Sequence, residues 1–404
     1  MSGVPAFVGF AQPKPSAFER GGVPVVTIER WDAREFDSWT LPAPRSYLRA
    51  AVRGFFANGG KRCVVVAVPP PQIGGDGTAG LVRVLQPRGP LEDRSDIDLI
   101  CIPDASSSLV RRDGGLDEIY KEALSHCEKM GDRFAILDAP HLPLLDTHDQ
   151  VEATLRLSSS LRSAYGALYF PWIAVDMARH GLVSAAQRAG SEEWRRTLRP
   201  ECNDELDATE FETPCGHLAG VFARVDALVG LQRSPANEIL EGVVDTSLHL
   251  TATQHARLNE GGVNCLRSLP GRGIQVSGAR TLSGHSQWAY VSMARVILGF
   301  RRWLSVGMRD FVFEPQTQSL WDSIRIRLVS HCLELQRAGA LAGSGAGYAF
   351  FVKCDGETNS PEERDLGRVV AHVGLALSVP TEFIVVRIVH DASGFTVSGL
   401  TESR

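Results

Sequence analysis

The most direct route to chemistry in this sequence is Pro214-Cys215-Gly216-His217, where a thiol and an imidazole lie two residues apart. A thiol beside a general base is a nucleophile, and on that pattern the chain reads as a cytosolic cysteine hydrolase using Cys215 and His217. Two residues apart at a helix start, however, the side chains point in different directions, and no third group stands ready to orient the histidine. A helix N-terminal turn with a packed thiol accounts for the same residues. Two glycine-rich runs invite a phosphate reading: Pro270-Gly271-Arg272-Gly273 and Gly343-Ser344-Gly345-Ala346-Gly347. Neither ends in the Lys-Ser/Thr of a phosphate loop, and the second opens onto a strand (YAFFV), which offers no helix N-terminus to an anion. Both read as tight turns. The 11 histidines are dispersed without HExxH spacing, and the 8 cysteines, at 63, 101, 127, 202, 215, 265, 332 and 354, include no CxxC pair. No cofactor, metal or catalytic residue is expected.

The elements that must hold these residues belong to a chain of 404 residues, 44% hydrophobic and 22% charged, which implies two or three packed units. A net charge of −5 argues against a nucleic-acid partner. The longest uncharged apolar run, 338–352, is diluted by glycines and stops at Lys353, so membrane anchoring is not expected. Nothing resembles a signal peptide, which places the chain in the cytoplasm. Of the 42 basic residues only 5 are lysine, and arginine is the cation of interfaces.

Strand and helix signals alternate over the first half. Short apolar runs at 4–11, 24–28, 63–68, 97–102 and 134–137 read as buried strands; helical spacing marks 45–58, 116–130 and 150–161. Alternation of this kind implies an α/β fold, a mixed, mostly parallel sheet with helices on both faces. Residues 69–80 are loop or linker in composition, and 176–213 turn polar, as a surface insertion does. Helical patterns return at 214–229, 287–304, 318–336 and 361–375, with strands at 309–314, 348–354 and 382–390 and an unanchored polar tail to Arg404.

From Pro214 onward a series of blocks appears in order: PCGHLAGVFARVD, Ser-Pro-Ala-Asn-Glu at 234–238, GGVNCLRSLPGRGIQVSGARTLS at 261–283, WAYV from Trp288, FEP at 313–315, Trp321, GAL at 339–341 and FFVKCD at 350–355. Weaker blocks precede them, among them AFVGFA at 6–11, CIPD at 101–104 and HCEKMGDRFAILD at 126–138. The chain thereby resembles the tail sheath proteins of contractile injection systems: contractile phage tails, R-type pyocins and antifeeding-prophage-type particles. The residues that carry the resemblance include Gly216, His217, Asn237, Gly271, Arg272, Gly273, Arg280, Glu314 and Pro315.

The resemblance implies a structural protein rather than an enzyme. It implies hexameric rings of identical subunits, and of sheath paralogues, stacked around an inner tube protein between baseplate and tail-terminator components. Assembly is expected in the bacterial cytoplasm, or a phage host's, as part of a phage tail-like particle. It implies a core domain formed by both chain ends: an N-terminal part at 1–68, a middle or outer portion at 69–213 with the insertion 176–213, a C-terminal core at 214–390 and an arm at 391–404. The strand Phe383, Ile384, Val385, Val386, Arg387 and Ile388 is the expected inter-subunit arm, since a strand added to a sheet edge satisfies a row of backbone hydrogen bonds. The helix expected at 361–375 is the tube-facing segment, with Glu362, Glu363, Arg364, Asp365 and Arg368 making screened charge pairs. Arg301, Arg302, Arg325 and Arg327 are expected at inter-subunit contacts. Family members carry an arm before the AFVGF strand, which here begins near Met1; a paralogue for a terminal ring, or a different start site, is the expectation drawn from that.

Overall fold

Runs of aliphatic residues too short for helices form the centre of the fold. In chain order the first elements are β1 (Pro5–Pro13), β2 (Val25–Ile28), α1 (Ala33–Trp39), β3 (Thr40–Pro42), α2 (Leu48–Ala57), β4 (Cys63–Val68), α3 (Thr78–Leu85), β5 (Leu99–Cys101), α4 (Gly115–Met130), β6 (Phe134–Asp138), α5 (Thr147–Ser160), β7 (Gly166–Phe170) and β8 (Ile173–Val175). After a break come α6 (Cys215–Leu228), β9 (Val243–Thr246), α7 (Ala252–Glu260), β10 (Val263–Leu269) and β11 (Gly273–Ser277). The computed structural model describes residues 2–13, 23–43, 45–72, 74–175, 211–269, 271–311, 314–343, 347–377, 383–391 and 394–402. Most of the polar insertion, 176–210, and Phe313 of the FEP block lie outside the described residues.

One sheet runs β11-β10-β7-β6-β5-β1-β4-β2, with β3 paired to the end of β1. The pairs from β10 through to β4 are parallel, while β11 and β2 are antiparallel at the two ends. Every residue of β4, β6 and β7 is buried, which is why these strands read as unbroken apolar runs. Val64, Val66 and Val68 face α3, α4 and α5 in one core layer. The opposite layer holds α2 and α6, with Phe7 against Phe55 (ring centroids 5.7 Å) and Phe134 against Phe222 (6.3 Å). Helices therefore cover both faces, as the alternating pattern requires.

The α2–α6 pair is closer than side chains allow. A Cβ on Gly216 would lie 2.2 Å from the Ala51 carbonyl oxygen and 2.4 Å from its Cα. One on Gly220 would lie 2.4 Å from the Phe55 oxygen, and one on Gly54 would lie 2.3 Å from His217 Nδ1. Glycine is required at this crossing by contact, not by backbone angle.

The chain divides into two units, residues 1–229 with 233–291, and residues 230–232 with 292–404. The boundary expected at Pro214 falls inside the larger unit, because α6 packs on the large sheet and β10 and β11 extend it. Residues 1–68 belong to this larger unit too. The smaller unit carries α8 (Val291–Gly307), α9 (Gln318–Arg337), β12 (Phe350–Lys353), α10 (Pro361–Asp365), β13 (Val369–Leu375), β14 (Ile384–Asp391) and β15 (Gly394–Glu402). Its sheet is antiparallel in the order β12-β13-β14-β15.

Four expectations are corrected here. The helix expected at 361–375 is a five-residue helix followed by a strand: Gly367 takes φ +70°, which stops the helix, and Val369, Val370 and Val373 suit a strand. The tail after His390 is not unanchored, because β15 pairs along the whole of β14. The strand expected at 309–314 begins as a one-turn 3-10 helix at Arg309–Phe311. Part of the expected linker at 69–80 opens α3.

Alanine in place of an exposed helical glycine ordinarily stabilises by about 1 kcal/mol. Gly216→Ala should instead destabilise the chain by about 3 kcal/mol or more, as overpacking against backbone does. Urea unfolding measures the sign directly, and a stabilised variant would refute the close crossing.

Candidate assembly interface

The resemblance-carrying residues sort by position into a scaffold and a surface. Gly216 and His217 sit on α6, both buried, at its crossing with α2. One helical turn or two further on, Arg224 donates to the carbonyls of Asn58 (3.3 Å) and Ile239 (3.0 Å) and pairs with Glu238 at 3.4 Å. Arg224 thus holds the Pro-Ala-Asn-Glu segment. Asn237 takes φ +65°, a left-handed position that asparagine tolerates better than most residues. The segment then lies along β11: Asn237 N–H donates to Val276 O at 2.7 Å, Val276 N–H to Glu238 O at 3.0 Å, and Leu240 N–H to Ile274 O at 2.9 Å. The outer edge of the large sheet is closed by the chain itself.

Asn264, on β10 and fully buried, performs a similar task. Its amide donates to Arg280 O and its oxygen accepts from Arg280 N–H, both at 2.7 Å. Gly278, at φ +141°, leaves room for this, since a Cβ there would lie 2.7 Å from the Asn264 oxygen. The Arg280 guanidinium stacks over Tyr290, 4.9 Å from the ring centre. Gly271 and Gly273 take φ +72° and +80° in the β10–β11 turn, and Arg272 is exposed at its tip. Asn264 was quoted in its block without a role; its signal is an asparagine inside an otherwise apolar strand.

In the smaller unit, Glu314 and Pro315 are exposed in the turn before α9, where Pro315 O accepts from Thr317 N–H at 2.8 Å. On α10, Glu362, Arg364 and Asp365 are exposed, as are Leu366 and Arg368 just after it. Glu363 differs: its carboxylate pairs with Arg387 of β14 at 2.8 Å. Arg325 and Arg327 of α9 are exposed and paired with Asp322 (3.3 Å) and Asp310 (3.4 Å). Ile384, Val386 and Ile388 are buried, and β14 has strands on both sides, so the sheet's outer strands are β12 and β15. Among the described residues no group of His, Cys, Asp and Glu could hold a metal, and no helix is long and apolar enough to cross a membrane.

Residues 96–282 match the family model of the phage tail sheath protein central domain. That span contains helix α6, the β11 edge segment and the Asn264–Arg280 lock, while α2, the partner of α6, precedes it. Over that central span the chain is similar to phage tail sheath proteins. A protein described as a prophage major tail sheath protein of Pseudomonas aeruginosa (strain UCBPP-PA14) is 26% identical over 170 residues, a stretch covering 41% of this chain and 42% of that protein, less than half of either. The helical sheath of the anti-feeding prophage in its contracted state aligns over 94% of this chain and 91% of its own, with a TM-score of 0.68 and 25% identity. The contracted sheath complex of the extracellular contractile injection system PVC gives a TM-score of 0.69 at 24% identity, over 95% of this chain and 90% of that one. A sheath tail protein from Listeria innocua keeps the fold at 9% identity, with a TM-score of 0.63 over 99% of this chain and 96% of that one.

In this sheath fold the Cys215–His217 pair is scaffold. Cys215 is buried, and burial pushes its thiol well above the ordinary value, helped by Cys101 and Asp138. A thiol so held stays protonated and is a poor nucleophile. Iodoacetamide should therefore leave Cys215 unmodified in the native chain and reach it only on unfolding; fast native labelling, read by peptide mass spectrometry, would restore the hydrolase reading.

Two buried carboxyls had no sequence-based role. Asp104 accepts from the N–H groups of Phe10 and Tyr47, both at 2.5 Å, and from the Ser46 hydroxyl at 2.7 Å. Burial outweighs these bonds and pushes its carboxyl up to about 6. Asp138, at the end of β6, faces the thiol and N–H of Cys215, and burial pushes it up to about 7. Both hold a proton more tightly folded than unfolded. Their contribution to stability is complete below the ordinary carboxyl value and is lost as pH rises through about 6 and about 7. His126, pushed down to about 4 by burial and by Arg133, acts in the opposite sense. Comparison with Asp138→Asn cancels both other groups. Between about pH 5 and pH 8 the native chain should lose a few kcal/mol relative to that variant in urea unfolding. Parallel pH profiles would show that Asp138 is not strained by its burial.

Proposed function

We propose that this chain is a subunit of a contractile sheath, in which copies stack as hexameric rings around an inner tube and relax to a shorter, wider lattice that drives the tube through a target envelope. The reading is carried by its likeness to a helical sheath in the contracted state, along 94% of this chain and at 25% identity. Energy release in such a polymer comes from repacking of subunits, so the mechanism requires no bond-making centre in the monomer.

Within this reading, α10 and the residue after it face the tube. Glu362, Arg364, Asp365 and Arg368 surround Leu366, which is 62% exposed. Alternating charges around one apolar side chain suit a contact that must hold and then let go, because exposed ion pairs are each worth about 0–1 kcal/mol and are screened by salt. The C-terminal strands are the proposed link between neighbours. The outer edge of β15 has no strand partner among the described residues, so its backbone groups are free to template a neighbour's strand. Arg325 and Arg327 are proposed to contact neighbouring subunits by exchanging their present acidic partners. Assembly in the cytoplasm, with baseplate and terminator components at the two ends of the polymer, completes the reading.

The double variant Arg364→Glu, Asp365→Lys should leave folding intact and weaken co-assembly with the inner tube roughly tenfold at low salt, with a smaller effect at high salt. Co-sedimentation with purified tube and negative-stain images of striated cylinders give the readout. Unchanged co-assembly would remove α10 from the tube contact.

A further inference from the structure

The smaller unit carries three basic or titratable side chains in one row. Lys353 of β12 pairs in register with His372 of β13, which pairs with Arg387 of β14. Residues directly opposite across antiparallel strands share a face, so three side chains that can carry positive charge lie side by side, an arrangement that opposes itself. Its effect shows at His372: burial first, then Arg387 and Lys353, push the imidazole below its ordinary value. Asp355 is the acid that acts on it from the turn after β12. The two ends of the row are held by acids outside the sheet. Glu357 pairs with Lys353, and Glu363 of α10 pairs with Arg387.

The two end pairs differ. Glu357 is 80% exposed and rehydrates freely if its partner leaves. The Glu363 side chain is 23% exposed, and its second oxygen is buried without a hydrogen-bond partner among the described residues. Arg387 therefore supplies the charge compensation for a carboxylate that α10 holds partly out of water. The other fastening of the 355–368 loop is Asn359, whose amide accepts from Val370 N–H at 2.7 Å and donates to Val370 O at 3.1 Å. One fastening ties the loop to β13, the other to β14. Arg387 also sits where the β14–β15 ladder slips: Val386 pairs with Leu400 and Arg387 with Ser398, which leaves Gly399 as an extra residue. A bulge is a weak point of a ladder, so the Arg387 end of the latch stands where β15 parts most readily from β14.

We propose that Glu363 and Arg387 form a latch that couples helix α10 to the C-terminal strands, so that displacing β14 also frees α10. When β14 moves, Arg387 withdraws and leaves Glu363 half-buried with neither oxygen compensated. The carboxylate then reaches full hydration only if α10 lifts from the sheet. The functional weight of the latch rests on the reading given above, in which α10 grips the tube and the C-terminal strands link neighbours: a pull on the link becomes a loosened grip.

Hydrogen exchange of the full-length chain tests the coupling without any tube present. Glu363→Gln should speed exchange in 384–391 about fivefold, and Arg387→Gln should speed exchange in 361–368 by a similar factor, the yield expected from one partly exposed ion pair. The swapped pair Glu363→Arg, Arg387→Glu should restore both segments toward the native rate. Exchange that changes only in the segment carrying each substitution, or a swapped pair no better protected than the single variants, would overturn the latch. The outcome separates from the tube reading. A latch that holds while Arg364→Glu, Asp365→Lys leaves tube binding intact would retain the coupling and reject the grip; a failed latch with impaired tube binding would do the reverse.

Discussion

A helix pair whose backbones touch is the constraint on which the larger unit depends. With no side chain on Gly216 or Gly220, α6 lies directly against Ala51 and Phe55 of α2. That depth fixes both ends of α6 at once. Its first turn brings Cys215 to the ends of β5 and β6, beside Cys101 and Asp138. Its later turns bring Arg224 to Asn58 and Ile239, and so place the segment that closes the β11 edge. A larger residue at Gly216 would move both ends together. The block PCGHLAGVFARVD is legible as a physical device: glycines that set a crossing distance, followed by the arginine that exploits it.

A buried carboxyl, Asp104, occupies the carboxyl ends of the central parallel strands. In open parallel sheets the strand ends where the order reverses form a crevice in which bound anions commonly rest on helix N-termini. Here β1 has β4 on one side and β5 on the other, and that crevice is occupied from within. Asp104, just past β5, takes the N–H of Phe10 at the end of β1 and the N–H of Tyr47 at the start of α2. The chain supplies its own carboxyl group where open parallel sheets that bind nucleotides receive a phosphate. Strand β1, the residues after β5 and the start of α2 are thereby tied together.

How much of this was legible in the sequence follows from where each signal originates. The buried strands β4, β6 and β7 announce themselves because both their faces are covered, which leaves an unbroken aliphatic run. Helix α4 ends where Gly131 takes φ +68°, and α9 matches its apolar spacing almost to the residue. The misread regions are those where two periodicities compete. Pro361 at a helix start followed by four charged residues suggests helix, and only Gly367 and the valines after it reveal the change to β13. The strand β15 was hidden by its sequence, GFTVSGLTE, in which glycine and polar residues interrupt any aliphatic run. Asp104 and Asp138 follow aliphatic strands in LICIPD and FAILD, a position that suggests a strand end; their burial arises from Tyr47 and Cys215, which are distant in sequence. Asn359 and Asn264 share that problem, each a buried amide whose partners lie across a loop.

The distribution of strong and weak contacts in this fold suits the proposed contractile role. Interactions within the larger unit are hard to undo: a crossing without side chains, a sheet edge closed at β11, and the Asp104 carboxyl and Asn264 amide bonded to backbone. Those on exposed helices of the smaller unit are single ion pairs, such as Arg325–Asp322 and Glu363–Arg387. In isolation each of these contributes about 1 kcal/mol or less. The energy-storing lattice proposed above would need this asymmetry. If surface contacts were as strong as the core, the first lattice formed would be final; if the core were as weak as the surface, strain would unfold subunits before it moved them. In the proposed ring, repetition would supply what a single pair lacks, because identical weak contacts released together sum to a large and cooperative change.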